Sequence, residues 1–274
     1  MTSPVGIAGL GLIGGSLGLA LRSRGIHVTG YDVDDATVRT ALARGAISSG
    51  GTQPDVLRDA RLVVLAAPLG HLVELAQLVA PHLPSECVVV DVGSVKGAVV
   101  PELERVLLPR LRYVGGHPMF GAETRGIDAA RAALVDGAPF IVTPTQRTDP
   151  GAVEVVEAFA RELGMRPLGM SVQAHDRDVA AVSHLTYLVG AALLRSAPNL
   201  DVAGPGFRDA TRSASAPDAM WLEVLRLNAE PLRDAARRLV DELEFLMSLE
   251  GEPLHRALSE ARARRAERFP ATEF

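Results

Sequence analysis

The chain has 274 residues, of which 47% are hydrophobic and 22% are charged, and 28 basic against 33 acidic residues give a formal net charge of −5. This composition predicts a folded protein long enough for two domains, with no reason to expect nucleic acid or a membrane surface as a partner. Cys87 is the single cysteine, which excludes an internal disulfide and is typical of a reducing, cytoplasmic location. No uninterrupted apolar run approaches ~20 residues, so we expect no transmembrane helix.

The first 170 residues alternate short β-branched runs with amphipathic stretches. This rhythm is typical of βαβ units and predicts an α/β domain, over residues 1–170, built on a doubly wound parallel sheet. The predicted strands are 5–8, 27–31, 62–66, 88–91, 112–114, 140–143 and 166–169. The predicted helices are 14–24, 35–44, 70–80, 96–106 and 151–163.

After residue 170 the pattern changes and no β-rich run follows, which predicts a smaller all-α domain over residues 171–274. Its predicted helices are 172–195, 217–228, 229–249 and 253–269, with a loop at 197–206. Apolar residues nearly encircle the first of these helices, and a helix of this kind is usually buried. We therefore expect a homodimer that completes its core through the C-terminal helices.

A glycine-rich turn, Gly9-Leu10-Gly11-Leu12-Ile13-Gly14, joins the first predicted strand to the first helix. Its glycines suit a tight turn, close approach of a pyrophosphate, and helix–strand packing, as in Rossmann-type dinucleotide-binding domains. Asp32 ends the second strand, where a carboxylate binds a free ribose 2′-hydroxyl and repels a 2′-phosphate, so NAD is expected over NADP. The alternative is that these glycines are turn residues alone and Asp32 is a strand-end carboxylate.

The third strand ends in Ala67 and Pro68, which we expect to line the nicotinamide side because ligands lie beyond the carboxyl ends of such strands. A small-residue strand end closed by proline is the alternative. The predicted cofactor-binding residues are thus Gly9, Gly11, Leu12, Ile13, Gly14, Asp32, Ala67 and Pro68.

Polar motifs follow the fourth and fifth strands, DVGSVKG at 91–97 and GGHPMFG at 115–121. With GLGLIGGS at 9–16, SHL at 183–185, GFRDATR at 206–212 and Trp221, they make the chain resemble the prephenate dehydrogenase family, which includes arogenate dehydrogenases. The resemblance runs from about residue 5 to 230, in order, over both predicted domains.

The resemblance implies NAD-dependent oxidative decarboxylation of prephenate to 4-hydroxyphenylpyruvate, CO2 and NADH, in tyrosine biosynthesis. It implies that His117 is the catalytic base, a role that suits imidazole because it titrates near neutral pH. It also implies that Ser94 hydrogen-bonds this histidine and the substrate hydroxyl, and that Arg212 holds the ring carboxylate. Tyrosine inhibition, where it occurs, is expected at the active site.

His184, Tyr187, Arg208 and Glu123 are the predicted substrate-binding residues. Tyr187 stands where many family members carry a second histidine, and Arg208 where lysine is frequent. Glu123 resembles a family acid that pairs with an arginine and guards the pocket. His175 is as consistent with a structural role as with a functional one.

Lys96 is the only lysine, against 27 arginines, and it lies beside Ser94. It is expected either to attract substrate or cofactor anions or to hydrogen-bond loop carbonyls and hold Ser94 in place.

Three alternatives to the prephenate reaction remain. An arogenate dehydrogenase would yield tyrosine directly, and the replacement of the second histidine by Tyr187 makes it credible. A β-hydroxyacid dehydrogenase would need a lysine on the interdomain helix, and no lysine follows Lys96. A non-enzymatic NAD-binding regulator would need an incomplete site, whereas Ser94, His117 and Arg212 are all present. The histidines have no partners at metal-ligand spacing, so no metal site is expected.

Overall fold

The computed structural model describes residues 4–108, 110–122, 124–216 and 218–269. Within these ranges, eight strands form one sheet in the order β3-β2-β1-β4-β5-β6-β7-β8. The strands are β1 Val5–Ala8, β2 Val28–Tyr31, β3 Ser49–Gly51, β4 Leu62–Leu65, β5 Val88–Asp91, β6 Arg112–Pro118, β7 Pro139–Thr143 and β8 Arg166–Gly169. The predicted α/β class is confirmed.

The sheet departs from the prediction in two places. Strands β1 to β6 are parallel, as predicted, but β7 runs antiparallel to β6, and β8 pairs with β7 in parallel. The connection between β6 and β7 contains two short 3₁₀ turns where a parallel neighbour would need a crossover helix. The short edge strand β3 was not predicted because its Ser-Gly-Gly sequence has none of the residues enriched in strands.

Five helices cover the two faces of the sheet: α1 Leu12–Ser23, α2 Asp35–Ala43, α3 Leu72–Val79, α4 Lys96–Leu107 and α5 Pro150–Glu162. One apolar core lies under α1, α2 and α5, and the other lies under α3 and α4. Successive residues of β4 alternate between the two cores, as expected of a strand buried on both faces: Val64 joins the first core and Val63 the second.

The second domain begins at α6 Val172–Val179, which continues through a π-helical turn, Ala180–His184, into α7 Leu185–Ser196. Four further helices follow: α8 Pro205–Thr211, α9 Asp218–Leu227, α10 Ala229–Ser248 and α11 Gly251–Arg268. Helix α8 begins inside the stretch predicted as a loop, because Pro205 is tolerated in the first turn of a helix. The π turn was not predicted.

The continuous helix Val172–Ser196 is largely uncovered within one chain. Among the described residues it is the one helix long and apolar enough to cross a membrane by length and composition, a test that a core helix of a soluble protein also passes. Only 22% of its most apolar window is buried, and Val182 is 69% exposed. The expectation of a buried helix therefore fails for the isolated chain. The small apolar cluster of Ala180, Leu185, Leu232 and Ala235 covers one side of it.

Candidate active site

The glycine turn between β1 and α1 is shaped by the three positions that the sequence singled out. Gly9 has φ +94°, and a Cβ there would lie 2.4 Å from the Ala66 carbonyl oxygen. A Cβ on Gly14 would lie 1.9 Å from the Gly9 carbonyl oxygen, whereas one on Gly11 would meet nothing within 4 Å. The backbone thus packs closely against itself at Gly9 and Gly14, whereas the space beside Gly11 is free. A turn that admits a phosphate requires this arrangement.

The surroundings of this turn also fit a dinucleotide. Helix α1 begins at Leu12, followed by Ile13, and its N-cap, Gly11, provides no side-chain hydrogen bond. The first N–H groups of the helix are therefore available to bind an anion. The Asp32 carboxylate accepts from the amide of Leu10 at 2.8 Å and from the amide of Asp34 at 3.0 Å, which fixes it beside the turn.

Ala67 and Pro68 follow β4 on the same side of the sheet. Ala66 donates to the Ala8 carbonyl at 2.7 Å, and the Ala67 amide lies near the face of Gly9. Of the residues that the sequence assigned to the cofactor, the structure thus places Asp32 and Ala67 beside the glycine turn.

A buried ionic cluster ties the two polar motifs together. Lys96 and Asp91 are both fully buried, and the Lys96 ammonium donates to the Asp91 carboxylate and to the Gly116 carbonyl. Asp91 also accepts from the Tyr113 hydroxyl at 2.8 Å and from the Gly116 amide at 3.2 Å. Burial lowers the pKa of Lys96 against the opposing attraction of Asp91. Of the two roles expected for Lys96, the structure shows a hydrogen bond to a carbonyl. That carbonyl belongs to Gly116, the residue before His117.

His117 lies near the end of β6, half-buried, in a line of hydrogen-bonded groups. Its Nδ1 is 2.9 Å from Nε2 of His175, whose Nδ1 is 2.7 Å from the Asp176 carboxylate. That carboxylate accepts from the backbone amides of Lys96 at 2.8 Å and Gly97 at 2.7 Å, at the start of α4. The line joins the α/β domain to the helical domain.

The electrostatics favour a neutral His117. Burial holds its pKa well below the ordinary histidine value, and the nearby basic groups His175, Lys96 and His184 act in the same direction. A neutral imidazole can accept a proton, so His117 is suited to the work of a general base at neutral pH.

Ser94 is half-buried in the turn before α4. Within the described part of the chain, no hydrogen bond joins its hydroxyl to His117, whose Nδ1 faces His175 instead. The predicted pairing of Ser94 with the histidine and a substrate hydroxyl stays a prediction.

His184 is placed by the π turn, and its side chain is buried. Its Nδ1 lies 3.1 Å from the amide nitrogen of Asn228, which also donates to the Asp176 carbonyl at 2.8 Å. Its Nε2 has no partner among the described residues. Burial, together with the nearby ring of His175, lowers the pKa of His184 to about 4, against the opposing effect of Asp176.

An aromatic wall continues from His184. Tyr187 stacks on Trp221 with ring centroids 4.5 Å apart and planes within 13°, and Trp221 meets the His184 ring edge-on at 6.2 Å. Two of the predicted substrate-binding residues, His184 and Tyr187, are thus brought together around the single tryptophan.

The remaining predicted residues are more peripheral. Arg208 is exposed on α8, and Arg212 is exposed at the start of the 3₁₀ turn Arg212–Ser215. This turn is held against α7 by a hydrogen bond of 3.1 Å from the Ser213 hydroxyl to the Thr186 carbonyl, beside Tyr187. Glu123 lies outside the described residues. No cluster of metal-ligating side chains occurs in the described ranges.

Asp176 and Asn228 were not anticipated, and His175 was left undecided. The available signal was local: Ser171 caps α6 through the Ala174 amide, and a His-Asp pair follows in the first turns of a helix otherwise rich in apolar residues. Contact with His117, 58 positions earlier, is a tertiary fact that no spacing in the sequence reveals.

Known proteins match this chain over both domains. A family model described as prephenate dehydrogenase, nucleotide-binding domain, matches residues 17–168, and one described as prephenate dehydrogenase, dimerization domain, matches residues 171–259. The prephenate dehydrogenase of Bacillus subtilis is 33% identical over 256 residues, or 89% of this chain and 69% of that protein.

Two solved structures share the whole architecture. Prephenate dehydrogenase from A. aeolicus, in complex with hydroxyphenyl propionate and NAD+, has a TM-score of 0.87 at 31% identity and covers 97% of this chain and 98% of its own. Synechocystis arogenate dehydrogenase has a TM-score of 0.82 at 29% identity, with coverage of 97% and 99%.

Proposed function

Because the chain belongs to the prephenate dehydrogenase family, we propose that this oxidoreductase catalyses the NAD-dependent oxidative decarboxylation of prephenate. The products are 4-hydroxyphenylpyruvate, CO2 and NADH, in the dehydrogenase step of tyrosine biosynthesis. The observation that carries the proposal is His117, a half-buried imidazole held neutral beside the carboxyl ends of the parallel strands, with one ring nitrogen already hydrogen-bonded.

The reaction explains why these groups are needed. Prephenate carries a ring hydroxyl opposite a quaternary carbon that bears a carboxylate and a pyruvyl chain. When NAD+ is bound, it supplies the hydride acceptor. His117 takes the hydroxyl proton, Ser94 hydrogen-bonds the same hydroxyl, and Arg212 holds the ring carboxylate through its planar fork. Loss of CO2 restores an aromatic ring, which makes the oxidation effectively irreversible.

The cofactor is held by the first domain. We assign the pyrophosphate to the open face of Gly11 and the first turn of α1, between the closed positions Gly9 and Gly14. Asp32 takes the ribose hydroxyls, which favours NAD over NADP, and Ala67 and Pro68 line the nicotinamide side.

Arogenate is the second candidate substrate, and it differs by an amino group in place of the side-chain keto group. Tyr187, packed on Trp221, occupies the position of the second family histidine. The similar Synechocystis structure, which covers 97% of this chain, is named arogenate dehydrogenase. We propose that His184, Tyr187, Arg208 and Glu123 contact the substrate, and we favour prephenate.

Parallel assays of the purified protein with the two substrates test both candidates. NADH formation from prephenate with higher kcat/KM is the expected result. An efficiency at least about tenfold higher on arogenate would make arogenate the substrate. NADH formation from neither would remove the proposal and leave a nucleotide-binding protein without this activity.

We also propose that the protein is a cytoplasmic homodimer, with the domains divided at residues 170 and 171. The exposed apolar residues of the helical domain support a second copy as the cover, among them Val182, Val240, Phe245 and Met247. The matched family model for residues 171–259 is described as a dimerization domain.

A further inference from the structure

His117, His175 and Asp176 form a chain of hydrogen bonds. The donor and the acceptor of each bond are fixed, because the Asp176 carboxylate at the end of the chain can only accept. The Asp176 carboxylate receives three donors: the Lys96 amide, the Gly97 amide and the ring of His175. Burial opposes ionisation of Asp176, but these hydrogen bonds outweigh it and lower the pKa of the carboxyl. Asp176 is therefore an anion, and His175 must present an N–H to it from Nδ1.

The buried ring of His175 determines where His117 carries its proton. When the His175 ring carries one proton, Asp176 holds that proton on Nδ1, so Nε2 of His175 is an acceptor. The group facing it at 2.9 Å is Nδ1 of His117, which must then carry the proton of that ring. It follows that Nε2 of His117 holds the lone pair.

We propose that His175 and Asp176 are positioning residues for the base: they fix His117 in the Nδ1–H tautomer and aim the lone pair of Nε2 at the substrate hydroxyl. This inference rests on the proposed function for its catalytic consequence. The hydroxyl proton moves to Nε2 of His117. The hydrogen on the carbon that bears this hydroxyl leaves with its electron pair as a hydride, which NAD+ accepts. The aspartate–histidine pair of serine hydrolases shows what a fixed tautomer contributes: its loss there lowers turnover by about 10⁴.

Asp176 has a second effect, on the charge that the base acquires. The charged and titratable groups around His117 come from four elements: His175 and Asp176 from α6, His184 from the π turn, Lys96 from α4, and Asp91 from β5. Lys96 is paired with Asp91, which leaves the Asp176 anion to balance the imidazolium that forms on proton transfer. Loss of this anion lowers the basicity of His117.

The partners of the base also come from different domains. His117 and the amides of Lys96 and Gly97 belong to the α/β domain, whereas His175 and Asp176 belong to the helical domain. The Nδ1–H tautomer of His117, with its lone pair on Nε2, therefore requires helix α6 to pack against α4.

The test reads the tautomer and the kinetics separately. Nitrogen-15 NMR of histidine-labelled, substrate-free protein gives the tautomer of His117, whose signals are assigned by their loss in His117→Asn. In the wild type we expect protonated Nδ1. In His175→Leu we expect a mixture of tautomers and kcat/KM lower by on the order of 100-fold, with NAD+ affinity unchanged.

Two conservative variants separate positioning from charge. His175→Gln keeps an acceptor for His117 and a donor for Asp176, so it should retain the tautomer and recover most of the activity lost in His175→Leu. Asp176→Asn keeps an acceptor for His175 but no charge, so the acid limb of the kcat/KM profile should shift to lower pH. Asp178→Asn, the same exchange on the exposed side of α6, is the control and should change neither quantity.

Three results would overturn the proposal. The first is protonated Nε2 on His117 in the wild type, which needs no variant to fold. The second is a folded His175→Leu protein with kcat/KM within about threefold of wild type. The third is an unshifted pH profile in Asp176→Asn. A wild-type protein inactive on both substrates would instead refute the proposed function, since the tautomer is measured without substrate.

Discussion

The Lys96 ammonium donates to the Gly116 carbonyl and thereby holds the backbone that leads into His117. Its counter-ion is Asp91, and both side chains are fully buried. The chain otherwise uses arginine for its basic residues, so we expect this enclosed position to require the smaller ammonium group.

Lys96→Arg is expected to lower kcat/KM by about tenfold or more, because the larger planar group displaces Gly116 and with it His117. Steady-state kinetics measure this, with the reciprocal exchange Arg105→Lys on the exposed face of α4 as control. Lys96→Met should reduce the free energy of unfolding by about 3–5 kcal/mol, since Asp91 is left without its counter-charge. Unchanged kinetics in Lys96→Arg would show that the position tolerates either cation.

His117→Asn should lower kcat by about 10²–10⁴-fold and leave NAD+ binding intact, because it removes the proposed proton acceptor and none of the residues assigned to the cofactor. In the wild type, burial and nearby positive charge hold the pKa of His117 well below that of a free histidine. With His117 as the proposed base, the deprotonated ring is the active form, so kcat/KM should stay level as the pH falls below about 6.5. A profile that drops with an apparent pKa near 6.5 would contradict this assignment.

His184 should make the protein less stable in acid. Its pKa is lowered to about 4 in the folded protein by burial, whereas the unfolded chain titrates near 6.5. The unfolded state therefore binds more protons, and stability present above about pH 6.5 is lost as the pH falls toward 4, by roughly 3 kcal/mol. Denaturant unfolding at both pH values should show a smaller loss in His184→Gln than in the wild type. The exposed His255→Gln is the control, and equal losses in all three proteins would refute the prediction.

Asp32→Ser should relax the preference for NAD+ by about tenfold or more in the ratio of kcat/KM values, because it removes the charge that repels a 2′-phosphate. A serine oxygen can still accept from the Leu10 amide. Asp34→Ser is the matched control, since serine also caps helix α2, where Asp34 accepts from the amides of Ala36 and Thr37. A wild type that uses NADP+ equally well would contradict the role given to Asp32.

Val182→Glu should convert the proposed dimer to monomer, because it places a charge on the exposed apolar side of the helix that a second copy covers. Sedimentation measures the mass in solution. Leu78→Glu introduces the same charge on an exposed apolar residue of α3 in the other domain and should leave the mass unchanged. A wild-type monomer would exclude the proposed assembly.

Local sequence was sufficient to predict the strand–turn–helix unit that carries the glycine turn. The glycine turn and Asp32 lie within about 25 residues of one another, and their chemistry depends on backbone conformation and on the order of strand, turn and helix. The direction of β7 was not predictable in this way, because it depends on the route of the chain between β6 and β7.

The candidate site was only partly predictable for the same reason. His117 and Lys96 stand in motifs, but the partners of His117 come from α6 and the position of His184 depends on a π turn inside an apolar helix. Alternate hydrogen-bonding registers of a helix leave no periodic signal in the sequence, and contacts between domains leave none at all.

One helix serves two surfaces at once. From Val172 to Ser196 it turns His175 and His184 toward the interior and Val182 toward the outside, with the π turn between α6 and α7. A single continuous helix thus joins the exposed apolar surface on its outer side to the His175 contact with His117, the proposed base, on its inner side. In an assembly of two copies, we therefore expect a shift at the shared surface to reach His117 in both copies.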